Sequence, residues 1–433
     1  MPDDDPAAAA LAPAQQLVRQ HGRRTQPQTR TQPQTRTQPQ PRPQAAQPPQ
    51  PPRLRATGRL AAALAAAAPA LAAYAAVRLI GLVVLAISAA GAGKSAFHLL
   101  GARWDSVWYQ RIAENGYGHT VRLADGGIHS DLAFFPLLPA LERGIAEATP
   151  LSLADAGLLV SWTAALLAAW GIFAVGAHLY GRRTGVVLAA LWGVYPTAFV
   201  QSMAYTETLF TAFAAWALYA VLTRRWIVAG TLCVLAGLTR PSAAALIAAL
   251  ALTATVTLVR EYRAGRTDGI VRRNARMLTG AALAPLGWLA YVVFVAVREG
   301  SPFAYFDVQA QWGNSIDGGV ALATFILGLP LPAALGLGVA LAGLGGAVFL
   351  CVRQRQPLPV LAYCVAVVVI ALIGSGYFGS RPRLMMPAFP LLLPPAVALL
   401  RLRTTARTVT VVALLAVASA AYGAWTLLGS GPP

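Results

Sequence analysis

Eleven apolar stretches separated by short polar connections fill the chain from residue 60 onward: 60–89, 156–179, 186–200, 207–223, 226–238, 243–259, 277–297, 319–350, 358–374, 384–400 and 408–428. About 20 apolar residues carry a helix across roughly 30 Å of hydrocarbon. The pattern therefore predicts an all-α polytopic membrane protein of about 11 transmembrane helices. The 226–238 stretch is short and the 319–350 stretch long, so either is a place for a broken or re-entrant helix. The series is interrupted once, at 90–155, by a polar loop expected to carry short amphipathic helices.

Residues 1–52 have a different texture. Thr-Gln-Pro-Gln-Thr-Arg occurs at 25–30 and again at 31–36, with a decayed copy from Thr37. Proline and glutamine at this density bury too little apolar surface to fold, so a disordered cytoplasmic tail is expected. The domain proper is then 53–433.

Composition agrees with the pattern. Of 433 residues, 57% are hydrophobic and 12% charged, against about 25% charged in soluble domains. The net charge of +18 points to membrane topology, with no nucleic-acid partner expected. Eighteen arginines, among them Arg182, Arg224, Arg260, Arg353 and Arg401, share alternate connections with only Glu261 and Asp268. The remaining connections hold nine basic residues against eleven carboxylates. Basic residues mark the cytoplasmic side. The N-terminus is therefore expected inside, and the 90–155 loop outside, together with 201–206, 239–242, 298–318 and 375–383. Cys233, Cys351 and Cys364 fall in or beside apolar stretches without metal-ligand spacing and read as small core residues.

Every sharp polar motif falls on the outer set. In Arg103-Trp104-Asp105-Ser106-Val107-Trp108, a helix would put Trp104, Val107, Trp108 and Arg111 on one face, suited to lie along the interface. Asp105 is then either an incidental charge on an anchor or a general base near the lipid surface. Phe134-Phe135-Pro136-Leu137-Leu138-Pro139 is an apolar run broken by prolines, a helix start or the wall of a lipid-tail groove, with Asp131 just ahead of it as a second carboxylate. Tyr205-Thr206-Glu207 opens a helix, where Thr206 would cap and Glu207 would sit well in the dipole. Arg240-Pro241-Ser242 interrupts an apolar run and needs a partner, a cavity or an anion. Arg381 and Arg383 stand at a helix start, the wrong end of the dipole for cations, so an anion must compensate: a lipid phosphate, Asp105 or Glu207. Gly91-Ala92-Gly93-Lys94-Ser95 has the ending of a phosphate-binding loop, but Ser88 replaces the required first glycine and no soluble strand precedes it.

Taken together the motifs resemble the PIG-V family of membrane mannosyltransferases, GPI mannosyltransferase II-like members of the GT-C superfamily. The resemblance lies in Arg103-Trp104-Asp105 with Ile112-Ala113-Glu114-Asn115-Gly116-Tyr117, in Phe134 to Pro139, in Tyr205-Thr206-Glu207-Thr208-Leu209-Phe210, in Leu238-Thr239-Arg240-Pro241-Ser242 and in Arg381 to Pro390, in that order over about 60–428. The family more often has a small residue and a serine at Tyr205 and Thr206, and a histidine at Trp108.

The resemblance implies a GT-C-like fold and a polyprenyl-phosphate sugar donor, with mannose the sugar. Transfer would occur outside the cell membrane to a lipid-linked, polymer or protein acceptor. It implies inversion, with Asp105 as base and positive charge from Arg381, Arg383 or Arg240 on the donor phosphate. Glu207 and Asp131 are the further carboxylates, and Trp104, Trp108, Phe135 and Tyr205 line the site. No cofactor is expected; a divalent ion would need Asp105, Asp131 and Glu207 to converge. The rival expectation is a lipid or sugar transporter without bond formation, which should place its polar breaks near the midplane and repeat them. The polar motifs here gather at one face, and no repeat is visible.

Overall fold

The computed structural model describes residues 56–123 and 126–431; the expected tail at 1–52 lies outside them. The described chain is helical, with one small hairpin. In order it forms α1 (Ala56–Gly91), α2 (Ala96–Gly101), α3 (Asp105–Asn115), strands β1 (Thr120–Arg122) and β2 (Ile128–Ser130), then α4 (Leu137–Ala148) and α5 (Leu153–Tyr180). There follow α6 (Arg182–Gly193), α7 (Glu207–Leu222), α8 (Trp226–Gly237), α9 (Ala243–Arg263), α10 (Ile270–Arg273), α11 (Ala275–Leu283) and α12 (Leu286–Glu299). The last third holds α13 (Ala304–Gln311), α14 (Val320–Leu327), α15 (Leu331–Arg353), α16 (Leu358–Ile373), α17 (Arg381–Met385), α18 (Leu393–Leu399) and α19 (Thr405–Leu428).

Among the described residues, six helices are long and apolar enough to cross a membrane: α1, α5, α9, α11 with α12, α15 and α19. A seventh arises if Phe378–Met385 and Phe389–Leu399, bent by 75° at their junction, count as one span. The other apolar stretches form shorter helices. Pro196 ends α6 early, since the residue before a proline is pushed out of the helical region. The 319–350 stretch is broken, at Gly328-Leu329-Pro330, whereas 226–238 is a single short helix, α8. The strongest break falls in 384–400, where Pro387 and Pro390 remove backbone donors in close succession. The β1–β2 hairpin, paired Thr120 with Ser130, was not expected in the loop.

Packing explains which helices hold the centre. Helices α5, α6 and α7 carry the most completely buried side chains, including Ile172, Leu188, Trp192, Phe210 and Leu218. A Cβ on Gly176 would lie 2.9 Å from Gly185 Cα, so α5 and α6 touch backbone to backbone, a device of membrane helices. By contrast α15 leaves Leu331, Leu335, Val339 and Phe349 exposed, as a lipid-facing helix does. A second apolar cluster, of Tyr109, Ile112, Phe134, Leu138, Val160 and Leu209, seats α3 and α4 on α5 and α7. The loop thus has a fixed position over the end of the central helices.

Candidate active site

The chain reaches Asp105 through an elbow. Trp104 has φ +52°, an uncommon conformation for a bulky residue that persists only where its surroundings enforce it. Ser106 Oγ donates to Arg103 O (2.6 Å) and accepts from Arg103 N–H (2.9 Å), locking the elbow from below. Asp105 then opens α3, where the helix dipole favours a carboxylate. Its backbone N–H donates to Tyr205 Oη at 3.2 Å.

Tyr205 belongs to the 201–207 segment, which is anchored on α5. Ser161 Oγ donates to Tyr205 O (3.1 Å), and Tyr205 N–H donates to the same hydroxyl (3.2 Å). Thr206 does not cap α7 as expected. Its side chain makes no capping bond, and its hydroxyl instead pairs with Tyr109 Oη at 3.2 Å. Tyr109, on α3, thereby joins the two segments. Burial and the nearby Asp105 and Glu207 raise its phenol above the ordinary value, so it stays neutral.

Four charged side chains meet here. Arg383 Nη1 donates to Asp105 Oδ2 at 2.9 Å, and its Nε lies 3.4 Å from Glu207 Oε1. Arg240 Nη1 lies 2.9 Å from the same Glu207 oxygen. Arg383 also rests over the Tyr205 ring, 5.2 Å from its centroid. The order Asp105, Arg383, Glu207, Arg240 alternates in sign and sums to zero. Asp105 is the most exposed of the four and Glu207 the least: in that order the side chains are 27%, 12%, 3% and 9% exposed. Asp105 is therefore the carboxylate that another molecule can reach, and Glu207 is an internal counter-ion. Arg240 Nε and Nη1 and Arg383 Nε are buried without an aligned hydrogen-bond acceptor among the described residues.

The other candidate residues stand apart from this cluster. Arg381 donates to Leu372 O (2.8 Å) and Gly374 O (2.7 Å), satisfying carbonyls at the end of α16. Asp131 accepts from Gly118 N–H (2.9 Å) and His119 N–H (2.8 Å) and holds the base of the hairpin. Phe135 is buried against Tyr291 and Tyr305. Trp108 stacks on Phe134, with Trp312 edge-on, and Trp104 lies under the Arg103 guanidinium at 4.0 Å. Among the described residues no group of three or more His, Cys, Asp or Glu side chains is placed to hold a metal ion.

Two participants were missed in the sequence. Tyr109 was given no role. Arg78, inside the first span, is buried; it donates to Ser202 Oγ (2.7 Å) and Gly193 O (3.3 Å), tying α1 to the segment before Tyr205. An arginine in the middle of an apolar span is the signal that could have marked it.

No protein-family model matches the sequence, and no curated protein matches it at a significant level. Among solved structures, the chain is similar to ArnT from Cupriavidus metallidurans bound to undecaprenyl phosphate, with a TM-score of 0.48 and 16% identity over 83% of this chain and 64% of that one. It is also similar to the archaeal oligosaccharyltransferase AglB from Archaeoglobus fulgidus in complex with an inhibitory peptide and a dolichol-phosphate, with a TM-score of 0.44 and 14% identity over 83% of this chain and 56% of that one. The chain therefore spans less than two thirds of the length of either.

Proposed function

We propose that the chain is a membrane glycosyltransferase of the GT-C type. It moves a sugar, mannose by its motifs, from a polyprenyl-phosphate donor to an acceptor hydroxyl outside the cytoplasmic membrane, with inversion at the anomeric carbon. The observation that carries this reading is the Asp105–Arg383 pair at the open end of the charged cluster. It sets a carboxylate that can take a proton beside a cation that can hold a departing phosphate. The ordered resemblance of the surrounding motifs to the PIG-V family supports the same chemistry.

In the transfer, Asp105 takes the proton from the acceptor hydroxyl as its oxygen attacks the sugar C1. The C1–O bond to phosphate breaks, and its electron pair leaves with the phosphate. A phosphate departs as a stable anion, so the site needs positive charge rather than an acid, and Arg383 and Arg240 supply it. Guanidinium N–H groups make charge-assisted hydrogen bonds to phosphate oxygens. In the structure Asp105 Oδ2 is occupied by the Arg383 guanidinium. A donor phosphate competes for that guanidinium and frees the carboxylate to meet the acceptor hydroxyl. Glu207, within 2.9 Å of Arg240 and 3.4 Å of Arg383, keeps the arginines oriented throughout.

The test is transfer from radiolabelled polyprenyl-phosphate-mannose by membranes carrying the protein, with identification of the labelled product. Asp105→Asn should lower the rate by roughly 10²–10⁴-fold, the usual contribution of a positioned base, at unchanged expression and folding. Full activity in that variant would remove Asp105 from the reaction. Label crossing proteoliposomes with no glycosidic product would replace transfer by transport.

A further inference from the structure

The segment Gly91-Ala92-Gly93-Lys94-Ser95 plays no part in the cluster, yet it forms one side of a second site. Its backbone cannot cradle a phosphate as a nucleotide-binding loop would. The N–H groups of Ala92, Gly93 and Lys94 are all spent on the last carbonyls of α1, at Ser88, Ala89 and Ala90. The side chains remain. Lys94, Ser95, His98, Leu99 and Arg103 line an open cavity of about 350 Å³.

Two full positive charges face this cavity. Lys94 Nζ donates to Leu428 O (3.0 Å), and Arg103 donates to Leu427 O (2.5 Å) and Gly429 O (3.0 Å). These bonds cap the end of α19, whose dipole amounts to only about half a negative charge. Among the described residues neither cation forms an ion pair. Most of the charge of Lys94 and Arg103 is therefore uncompensated, and each keeps unused N–H donors. Ser95 Oγ and the His98 ring stand beside them.

The depth of the cavity identifies the ligand class. The spans α1 and α19 both end at it, at Gly91 and Leu428. Phe97 on α2 and Tyr422 and Trp425 near the end of α19 are exposed, and aromatic side chains of this kind mark the headgroup level of a bilayer. Two cations match a phosphate monoester, which carries about −1.5 to −2 charges at pH 7. The volume is at the lower end of ligand pockets, roughly 300–1,000 Å³, enough for a headgroup and its first carbons. We propose that this cavity binds the phosphate monoester headgroup of a membrane lipid, held by Lys94 and Arg103 and separate from the Asp105 cluster. The assignment goes beyond the transfer reaction and does not depend on it.

The full chain in detergent micelles, titrated with fluorescent phosphatidic acid, tests this. Lys94→Gln should bind about fivefold more weakly. Lys94→Arg should bind as the parent does. Ser95→Asp, which leaves both cations on α19 but brings a negative charge to the cavity, should also lose binding. Phosphatidylcholine should bind far more weakly than phosphatidic acid. Unchanged binding in Lys94→Gln and Ser95→Asp would overturn the proposal and leave Lys94 as a helix cap alone. Inorganic phosphate bound as tightly as the lipid would make this a free-phosphate site and overturn the lipid assignment.

Discussion

Arg383 stands between two carboxylates of unequal exposure, and this inequality divides their work. Asp105 can exchange its partner for a substrate, whereas Glu207, 3% exposed between two guanidinium groups, cannot be left without one. Removing one member of a buried ion pair typically costs about 3–5 kcal/mol because the other charge stays buried and unpaired. Glu207→Gln and Arg240→Gln should therefore each lower the unfolding midpoint markedly. The double variant, which leaves the balanced Asp105–Arg383 pair, should cost less than the sum of the two. Unfolding of all three variants in detergent measures the coupling, and simple additivity would show that the two residues act independently. These four charges stood out in the sequence, Arg240 by interrupting an apolar run, Asp105 among aromatics in the outer loop, and Glu207 and Arg383 at outer helix starts. The choice between Arg381 and Arg383 was not. Two residues along a helix differ in direction by about 200°, and only the packing of α17 decides which one faces the carboxylates.

At the scale of elements, α4 carries another buried acid, Glu142, which forms no ion pair among the described residues. Glu142 lies against α5, where a Cβ on Gly157 would meet its Oε1 and come within 2.9 Å of Ala204 Cβ. Glycine at 157 thus makes the room that the carboxyl occupies. Neither Glu142 oxygen has a hydrogen-bond partner among the described residues, and burial pushes its pKa from 4.5 up to about 9. The folded chain keeps this proton where the unfolded chain has lost it. Stability from this group is therefore complete below about pH 4.5 and falls as pH rises toward 9, by roughly 1 kcal/mol per pH unit. Glu142→Gln does not titrate. Its melting midpoint should rise relative to the parent between pH 5 and pH 8.5; midpoints that shift in parallel would mean that the carboxyl is hydrated. Nothing in the sequence distinguished Glu142 from the exposed Glu147 one and a half turns on, because both fit an amphipathic helix. The helices themselves were legible from their apolar runs. Their breaks were less so, since a proline marks a helix end but not the angle at which the chain resumes, as at the 75° bend before Phe389.

For the whole molecule, the cluster bears on topology. Asp105, Glu207, Arg240 and Arg383 lie far apart in sequence, at the starts of α3 and α7, before α9 and within α17, yet they meet at one place. The arginine asymmetry assigned all four connections to the same side before any packing was considered, and four segments on opposite faces of a bilayer could not form one ion-pair chain. What the cluster itself leaves open is which side that is. The positive-inside rule predicts that it lies outside the cytoplasm, with the connection between α9 and α11, which carries Arg260 to Arg276, inside. Cysteine labelling in intact cells tests this with little background, because Cys233, Cys351 and Cys364 are all buried. Glu147→Cys, exposed on α4, should react with a membrane-impermeant maleimide added outside, and Arg266→Cys only after permeabilisation. The reverse pattern would put the Asp105 cluster in the cytoplasm. It would then be exposed to nucleotide-linked sugars, and transfer outside the membrane would be overturned.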